Sequence, residues 1–192
     1  MADFGRIQKE LKEIDRDKAS GVTIQVTEGN LQKLTGFVEG PKDTAYEGGY
    51  FVVDISLDNQ YPFVPPKMRF ITKVWHPNVS SASGAICLDI LKDQWSPALT
   101  LKTALLSLQA LLSSPEPADP QDAVVAKQYM SKNKEFQRQA KDWTQTYAAK
   151  PSETDSRVQQ LVDMGFPYDA VSRALLSAGG DSNAALERLL GA

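Results

Sequence analysis

Residues 76–91, HPNVSSASGAICLDIL, decide how this chain is read. They hold the single histidine, His76, and the single cysteine, Cys87, of 192 residues. Upstream of them the sequence alternates in short runs separated by turn residues. Downstream, almost everything carries helical periodicity. A cysteine between Ile86 and Leu88 has two readings: a small buried hydrophobe, as free cysteines commonly are, or a reactive thiol. The rest of the chain has to choose between them.

Working back from His76, Lys67–Thr72 reads as a strand. Residues 61–66, Tyr-Pro-Phe-Val-Pro-Pro, cannot form a central strand or a helix, because prolines remove donors and fix φ. They predict a stiff loop holding Phe63 at a surface. Further strands are expected at Val22–Val26, Leu34–Val38 and Tyr50–Leu57, with the turn PKDTAYEGG (41–49) before the last. Sequential strands with short connections argue for an antiparallel meander. At the start, Phe4, Ile7, Leu11 and Ile14 form one apolar stripe on a helix over residues 3–17, with Asp3 as N-cap. Arg6, Lys9 and Lys12 project away from that stripe, which solvation alone would explain.

Working forward, the small residues of 79–85 predict a flexible approach to Cys87. DQWSPALT (93–100) is a turn ending in the N-cap Thr100. From it, Leu101, Ala104, Leu105, Leu108, Leu111 and Leu112 make the wide apolar face of a core helix. PEPADP (115–120) ends that helix, and two more are expected at Gln121–Met130 and Lys132–Ala148. The second carries Phe136, Ala140, Trp143 and Tyr147 on one face. The polar stretch Lys150–Thr154 marks a linker and a boundary between domains 1–150 and 151–192. In the tail, Val158, Leu161 and Val162, then Ala170, Val171, Ala174 and Leu175, then Ala185, Leu186, Leu189 and Leu190 predict three short helices. Breaks fall at 164–167 and 179–181. The expected class is α+β with a small helical bundle appended.

Composition excludes several classes. The 42% apolar and 23% charged residues suit a globular chain with a core, and a net charge of −3 offers neither a nucleic-acid surface nor a polybasic membrane patch. Residues 1–150 balance 18 basic against 18 acidic groups, while 151–192 carry 3 against 6, so the negative excess lies in the tail. One cysteine forms no intramolecular disulfide, residues 1–20 lack an apolar secretory core, and no run spans a bilayer. The expectation is cytoplasm and/or nucleus, with no membrane or nucleic-acid partner. One Cys and one His cannot build the usual structural zinc sites, so no metal is expected.

With these pieces in order, the chain resembles a ubiquitin-conjugating enzyme (UBC fold) followed by a ubiquitin-associated (UBA) domain. The matching residues are His76-Pro77-Asn78, Gly84, Ile86-Cys87-Leu88-Asp89, Tyr61-Pro62-Phe63 with Pro65-Pro66, and Trp95-Ser96-Pro97-Ala98. In the tail they are Met164-Gly165-Phe166 and Leu189-Leu190. The resemblance implies an N-terminal helix, a four-stranded antiparallel meander and C-terminal helices, then a three-helix UBA bundle. It also moves Cys87 to the reactive reading.

The implied chemistry is a relay in which Cys87 takes ubiquitin as a thioester and passes it to a lysine amine. One sulfur serves both steps because it is a good nucleophile and a good leaving group. The family assigns oxyanion stabilisation to Asn78; a structural role for Asn78 in holding the Ser-rich loop stands beside it. Cys87 follows Asn78 by nine positions, one more than in many family members. By resemblance His76 is structural, and Asp119 is the acidic gate that orients the incoming lysine, its alternative being an N-cap for the helix after Pro120. Asp89 is a second acidic neighbour. Leu106 matches a position that packs donor ubiquitin, or is a core leucine. Phe63, Pro97 and Ala98 match loops gripped by RING-type ligases, and Arg6 and Lys9 match contacts to the activating enzyme and ligase. Met164, Gly165, Phe166, Leu189 and Leu190 match the ubiquitin-binding patch of such tails, with Phe166 and Leu189 alternatively buried in their own core.

No cofactor is implied, since ATP is consumed by the upstream activating enzyme. A tail binding ubiquitin or polyubiquitin beside the active site would favour chain building. Two rivals remain on sequence: a catalytically silent ubiquitin-binding adaptor, against which Cys87 argues, and a Cys-His hydrolase using Cys87 and His76.

Overall fold

Asp3 accepts the Arg6 N–H at 2.9 Å and so starts α1 (Phe4–Arg16) in the computed structural model, which describes residues 3–27 and 29–191. Met1, Ala2 and Ala192, at the ends of the two expected domains, lie outside the described residues, as does Glu28. Ile7 and Ile14 are buried, but Phe4 is 41% exposed because the helix starts beyond the edge of the core. Glu10 interrupts the apolar stripe and is itself buried.

Four strands follow: β1 (Val22–Thr27), β2 (Asn30–Glu39), β3 (Tyr50–Ser56) and β4 (Lys67–Phe70). They form one antiparallel sheet in the order β1-β2-β3-β4, the expected meander. β2 is longer than Leu34–Val38 because pairing outlasts the apolar run: Asn30 pairs with Thr27 of β1 across a register shift, and Lys33 and Glu39 pair with Ser56 and Tyr50 of β3. The register decides the two faces. Leu34 opposite Ile55, Gly36 opposite Val53 and Val38 opposite Phe51 point to the main core. Thr35 opposite Asp54, Phe37 opposite Val52 and Glu39 opposite Tyr50 point the other way.

Helix α2 (Leu101–Ser113), capped by Thr100, packs its leucines on the inner face. The approach is close at Gly36, where a Cβ would lie 3.0 Å from both Ile55 and Leu105. α3 (Ala123–Ser131) and α4 (Asn133–Tyr147) close the end of the core with Val125, Phe136 and Ala140. Tyr147 is 41% exposed, so the expected α4 stripe ends at Trp143. Val125 and Phe136, both buried, each contribute about 1.5–3 kcal/mol by leaving water.

The tail folds as α5 (Ser156–Asp163), α6 (Tyr168–Ser177) and α7 (Ser182–Leu190) around Val158, Leu161, Val171, Ala174, Leu175 and Ala185. Asp155 and Asp181 cap α5 and α7. Val162, expected on the core face, is 38% exposed. The three-helix bundle matches the pattern of breaks in the sequence.

Candidate active site

After β4 the chain is pinned residue by residue. The Trp75 carbonyl accepts the Tyr46 hydroxyl at 2.7 Å, and its indole N–H donates to Gln128 Oε1 at 2.7 Å. His76 is fully buried. Its Nδ1 accepts the Asn78 N–H at 3.0 Å, which leaves Nε2–H to donate to the Leu111 carbonyl at 2.9 Å. Burial pushes its pKa down to about 4, against the opposing pull of the Leu111 carbonyl. The imidazole is therefore neutral at pH 7, with both nitrogens committed. It has no lone pair to offer Cys87, and the Cys-His hydrolase reading fails on that geometry.

Asn78 is 1% exposed. Its Oδ1 accepts the Glu116 N–H at 2.8 Å, while Nδ2 donates to the carbonyls of Glu116 and Asp119, both at 2.9 Å. The Pro77 carbonyl accepts the N–H groups of Gln121 and Asp122, both at 2.9 Å. Three consecutive residues, 76–78, thus clamp the end of α2 and the whole PEPADP loop.

The serine-rich segment is not the flexible approach its composition predicts. Val79 bridges Ile86, and the Cys87 N–H donates to the Asn78 carbonyl at 2.9 Å, so the nine-residue spacing closes as a hairpin. Ser81 donates through both N–H and hydroxyl to Asp122 Oδ2, at 3.1 and 2.6 Å. Burial of Asp122 opposes its charge, but these bonds and the α3 N–H groups of Val124 and Val125 outweigh it and hold its pKa low. Gly84 has φ +74°, and a Cβ there would meet the Phe70 carbonyl oxygen at 1.9 Å. Only glycine fits between β4 and the cysteine.

Cys87 is half-buried at the edge of a cleft lined also by Asn78, Asp89, Lys92, Ser107 and Asp119. Its thiol donates to Asp119 Oδ2 at 3.3 Å, and Lys92 Nζ donates to the sulfur at 3.4 Å. Asp119 does not cap the following helix; Asp122 does. Asp89 lies in the same cleft, but its Oδ1 is taken by the Ile90 N–H at 2.7 Å. It opens the short 3₁₀ turn, Asp89–Leu91, that brings Lys92 back to the thiol. Leu106 is half-buried against the core.

The remaining positions sort onto two surfaces. Phe63 is 79% exposed, and Pro97 and Ala98 are exposed beside it, because Trp95 Nε1 donates to the Pro62 carbonyl at 2.7 Å and ties the two loops together. Lys9 is exposed. Arg6 is not: it pairs with Glu10 and donates through Nη2 to the carbonyls of Pro97 and Leu99, at 3.0 and 2.9 Å. In the tail, Met164, Gly165 and Leu190 are exposed, whereas Phe166 and Leu189 are half-buried against the bundle core.

Sequence reasoning missed three residues. Lys92 gave no signal except its place five residues after Cys87. Asp122 was passed over for Asp119. Glu10 was detectable, since an acid at a stripe position of an amphipathic helix calls for a buried partner.

A family model for ubiquitin-conjugating enzyme matches residues 6–144, and one for the UBA/TS-N domain matches residues 153–189. Ubiquitin-conjugating enzyme E2 27 of Arabidopsis thaliana is 58% identical over 193 residues, covering all of both chains. Ubiquitin-conjugating enzyme E2 K of Homo sapiens is 48% identical over 191 residues, covering 96% of each. Among solved structures, the E2 domain of a Toxoplasma gondii ubiquitin-conjugating enzyme superposes with a TM-score of 0.72 at 53% identity, covering 75% of this chain and 97% of that one.

Proposed function

From the premise that the chain belongs to the ubiquitin-conjugating enzyme family, we propose that Cys87 is its acceptor and donor sulfur. The activity itself follows from full-length similarity to E2 enzymes, which leaves the silent-adaptor reading without support. The observation that carries the assignment is the position of Sγ at an open cleft, between the Asp119 carboxylate and the Lys92 ammonium.

In the first step Sγ attacks the thioester carbonyl held by the activating enzyme. Its proton leaves by way of Asp119, the incoming C–S bond replaces the old one, and the activating enzyme's thiolate departs. In the second step a lysine amine attacks the Cys87 thioester. Asp119 orients the incoming amine and takes the one proton its nitrogen sheds as the C–N bond forms, and the C–S bond breaks so that Cys87 leaves as a thiolate beside Lys92. Ser107 and Ala110 of α2 are small, and leave room in the cleft for an extended C-terminal peptide. Leu106 next to them is the donor-ubiquitin contact. Because the Asn78 amide is saturated by the 116–119 loop, its role is to hold Asp119 in place. The oxyanion is left to donors brought by the reactants or by rearrangement of that loop.

Phe63, Pro97 and Ala98 form the ligase-binding surface, of the RING type, with Lys9 as a basic contact for activating enzyme or ligase. Met164, Gly165 and Leu190, backed by Phe166 and Leu189, bind ubiquitin and bias the enzyme toward polyubiquitin chains. The chain works in cytoplasm and/or nucleus, where the thiol stays reduced.

The test is a reaction with activating enzyme, ATP and either ubiquitin or two ubiquitin-like proteins. Ubiquitin should give an adduct that reductant removes, and Cys87→Ser should abolish it. A reductant-labile adduct on Cys87→Ser overturns the assignment. A preference for a ubiquitin-like protein overturns the cargo. Met164→Glu should leave the adduct intact and shorten the chains formed; unchanged chains overturn the role of the patch.

A further inference from the structure

Cys87 and Asp119 stand 32 residues apart in the chain, yet the thiol meets the carboxylate at 3.3 Å. That distance joins two separate pieces of backbone, the hairpin before Cys87 and the PEPADP loop. The hairpin is fastened to β4, where the Phe70 N–H donates to the Gly84 carbonyl at 2.9 Å and Arg69 bridges Ala85. Within it the Ser80 N–H donates to the Ala85 carbonyl at 2.8 Å and the Gly84 N–H to the Ser80 carbonyl at 2.9 Å, so its tip turns as one piece. On the side facing the PEPADP loop, Ser81 makes the attachment: its N–H and its hydroxyl converge on Asp122 Oδ2, at 3.1 and 2.6 Å.

The Asp122 carboxylate divides its two oxygens. Oδ1 accepts the Val124 and Val125 N–H groups, both at 3.2 Å, and so starts α3. An N-cap needs no more than that. Oδ2 is given to a serine 41 residues away. The Asp122 N–H donates to the Pro77 carbonyl at 2.9 Å, so the backbone here is anchored as well. Asp119 lies three positions before Asp122, with Pro120 between them to stiffen the connection. Its own N–H closes a turn on the Glu116 carbonyl at 3.1 Å.

We propose that Asp122 is a positioning residue of the transfer reaction: through Ser81 it locks the thiol hairpin to the PEPADP loop and keeps Cys87 and Asp119 at reacting distance. The role rests on the reading of Cys87 as acceptor and donor sulfur. Asp122 touches no reacting atom and acts through Asp119. Without the lock the hairpin is held by β4 alone, and a misplacement of about 1 Å between reacting groups costs on the order of 10²-fold in rate.

The test separates the two oxygens. Asp122→Asn keeps a good helix cap, but sets an amide donor where Ser81 needs an acceptor. Ser81→Ala removes the hydroxyl bond, and Ser81→Thr keeps it. Each protein is loaded with ubiquitin to completion, ATP is removed to stop the activating enzyme, and discharge to free lysine is followed. Asp122→Asn and Ser81→Ala should discharge at least about tenfold more slowly than the wild type, and Ser81→Thr at the wild-type rate. In an Asp119→Ala background, Asp122→Asn should change the rate by less than about twofold; an undiminished loss there overturns the aiming of Asp119. Amide hydrogen exchange reads the lock without ubiquitin. The Cys87 and Ser81 amides should exchange about tenfold faster in Asp122→Asn, with the α2 amides unchanged. Unchanged hairpin protection, or a Ser81→Thr as slow as Ser81→Ala, overturns the lock. A wild type that forms no reductant-labile adduct overturns the Cys87 reading and this role with it; slow variants beside a normally loaded wild type cannot come from that failure.

Discussion

The amide of Asn78 has no donor to spare, and that changes what its substitution should do. Three part-buried hydrogen bonds tie it to the backbone of 116 and 119, each worth about 1 kcal/mol net. Asn78→Ala should therefore lower stability by about 3 kcal/mol in urea unfolding. It should also slow lysine transfer, on the order of 10²-fold. If Asn78 acts by holding the loop, Asp119→Ala should cost much less in the Asn78→Ala background than in the wild type. Additive effects in that cycle would instead return Asn78 to a direct catalytic role. The HPN motif was legible in the sequence and its hydrogen-bond partners were not. Asn78 and Glu116 lie 38 residues apart, and nothing local links them.

At the scale of elements, Glu10 is the joint between α1, the proline loop and α2. It accepts the Tyr61 hydroxyl on both oxygens, at 3.0 and 2.8 Å, the Leu101 N–H at 2.7 Å, and the Arg6 guanidinium. Burial, and then the Glu10 carboxylate, push the Tyr61 phenol above its ordinary range, so it stays a donor. Glu10→Ala strands a buried phenol, a helix N–H and a guanidinium together. It should cost about 3–5 kcal/mol in urea unfolding, whereas Lys9→Ala on the exposed side should change stability by less than about 0.5 kcal/mol. The elements were read from periodicity almost to their ends. The errors fall where packing departs from the pattern: Phe4 and Tyr147 keep the spacing of a buried stripe but lie past the core. The run Tyr50-Phe51-Val52-Val53 was read as alternation, yet it is apolar on both faces. That was the available sign that the sheet is covered twice.

For the molecule as a whole, the single histidine sets the acid side of its stability. The folded-state pKa of His76 is about 4 against an ordinary 6.5. Between these values the unfolded chain binds the extra proton, so stability rises with pH through this window. The contribution is complete above pH 6.5 and is lost as the pH falls toward 4; in full it is on the order of 3 kcal/mol. Carboxylates titrate mainly below pH 5, so the window above it belongs to His76. Urea midpoints should report about 2 kcal/mol less stability at pH 5.2 than at pH 7.5, and His76→Asn should lack that difference. A wild-type midpoint that does not move above pH 5 would show that the imidazole is already free to protonate.

Taken alone, the sequence determined the α+β class, the strand order, the helical tail, and the motif that carries Cys87. These rest on local spacing, turn chemistry and residue type, all of which act over a few neighbours. Only the tertiary structure decided which groups surround the thiol, since Asp119 and Lys92 reach it from a distant loop and from a turn whose direction no periodicity encodes. It also decided that the serine segment is tied down and that α6 lies on the sheet. Both depend on contacts between segments far apart in the chain, where burial and hydrogen-bond satisfaction, not propensity, select the arrangement.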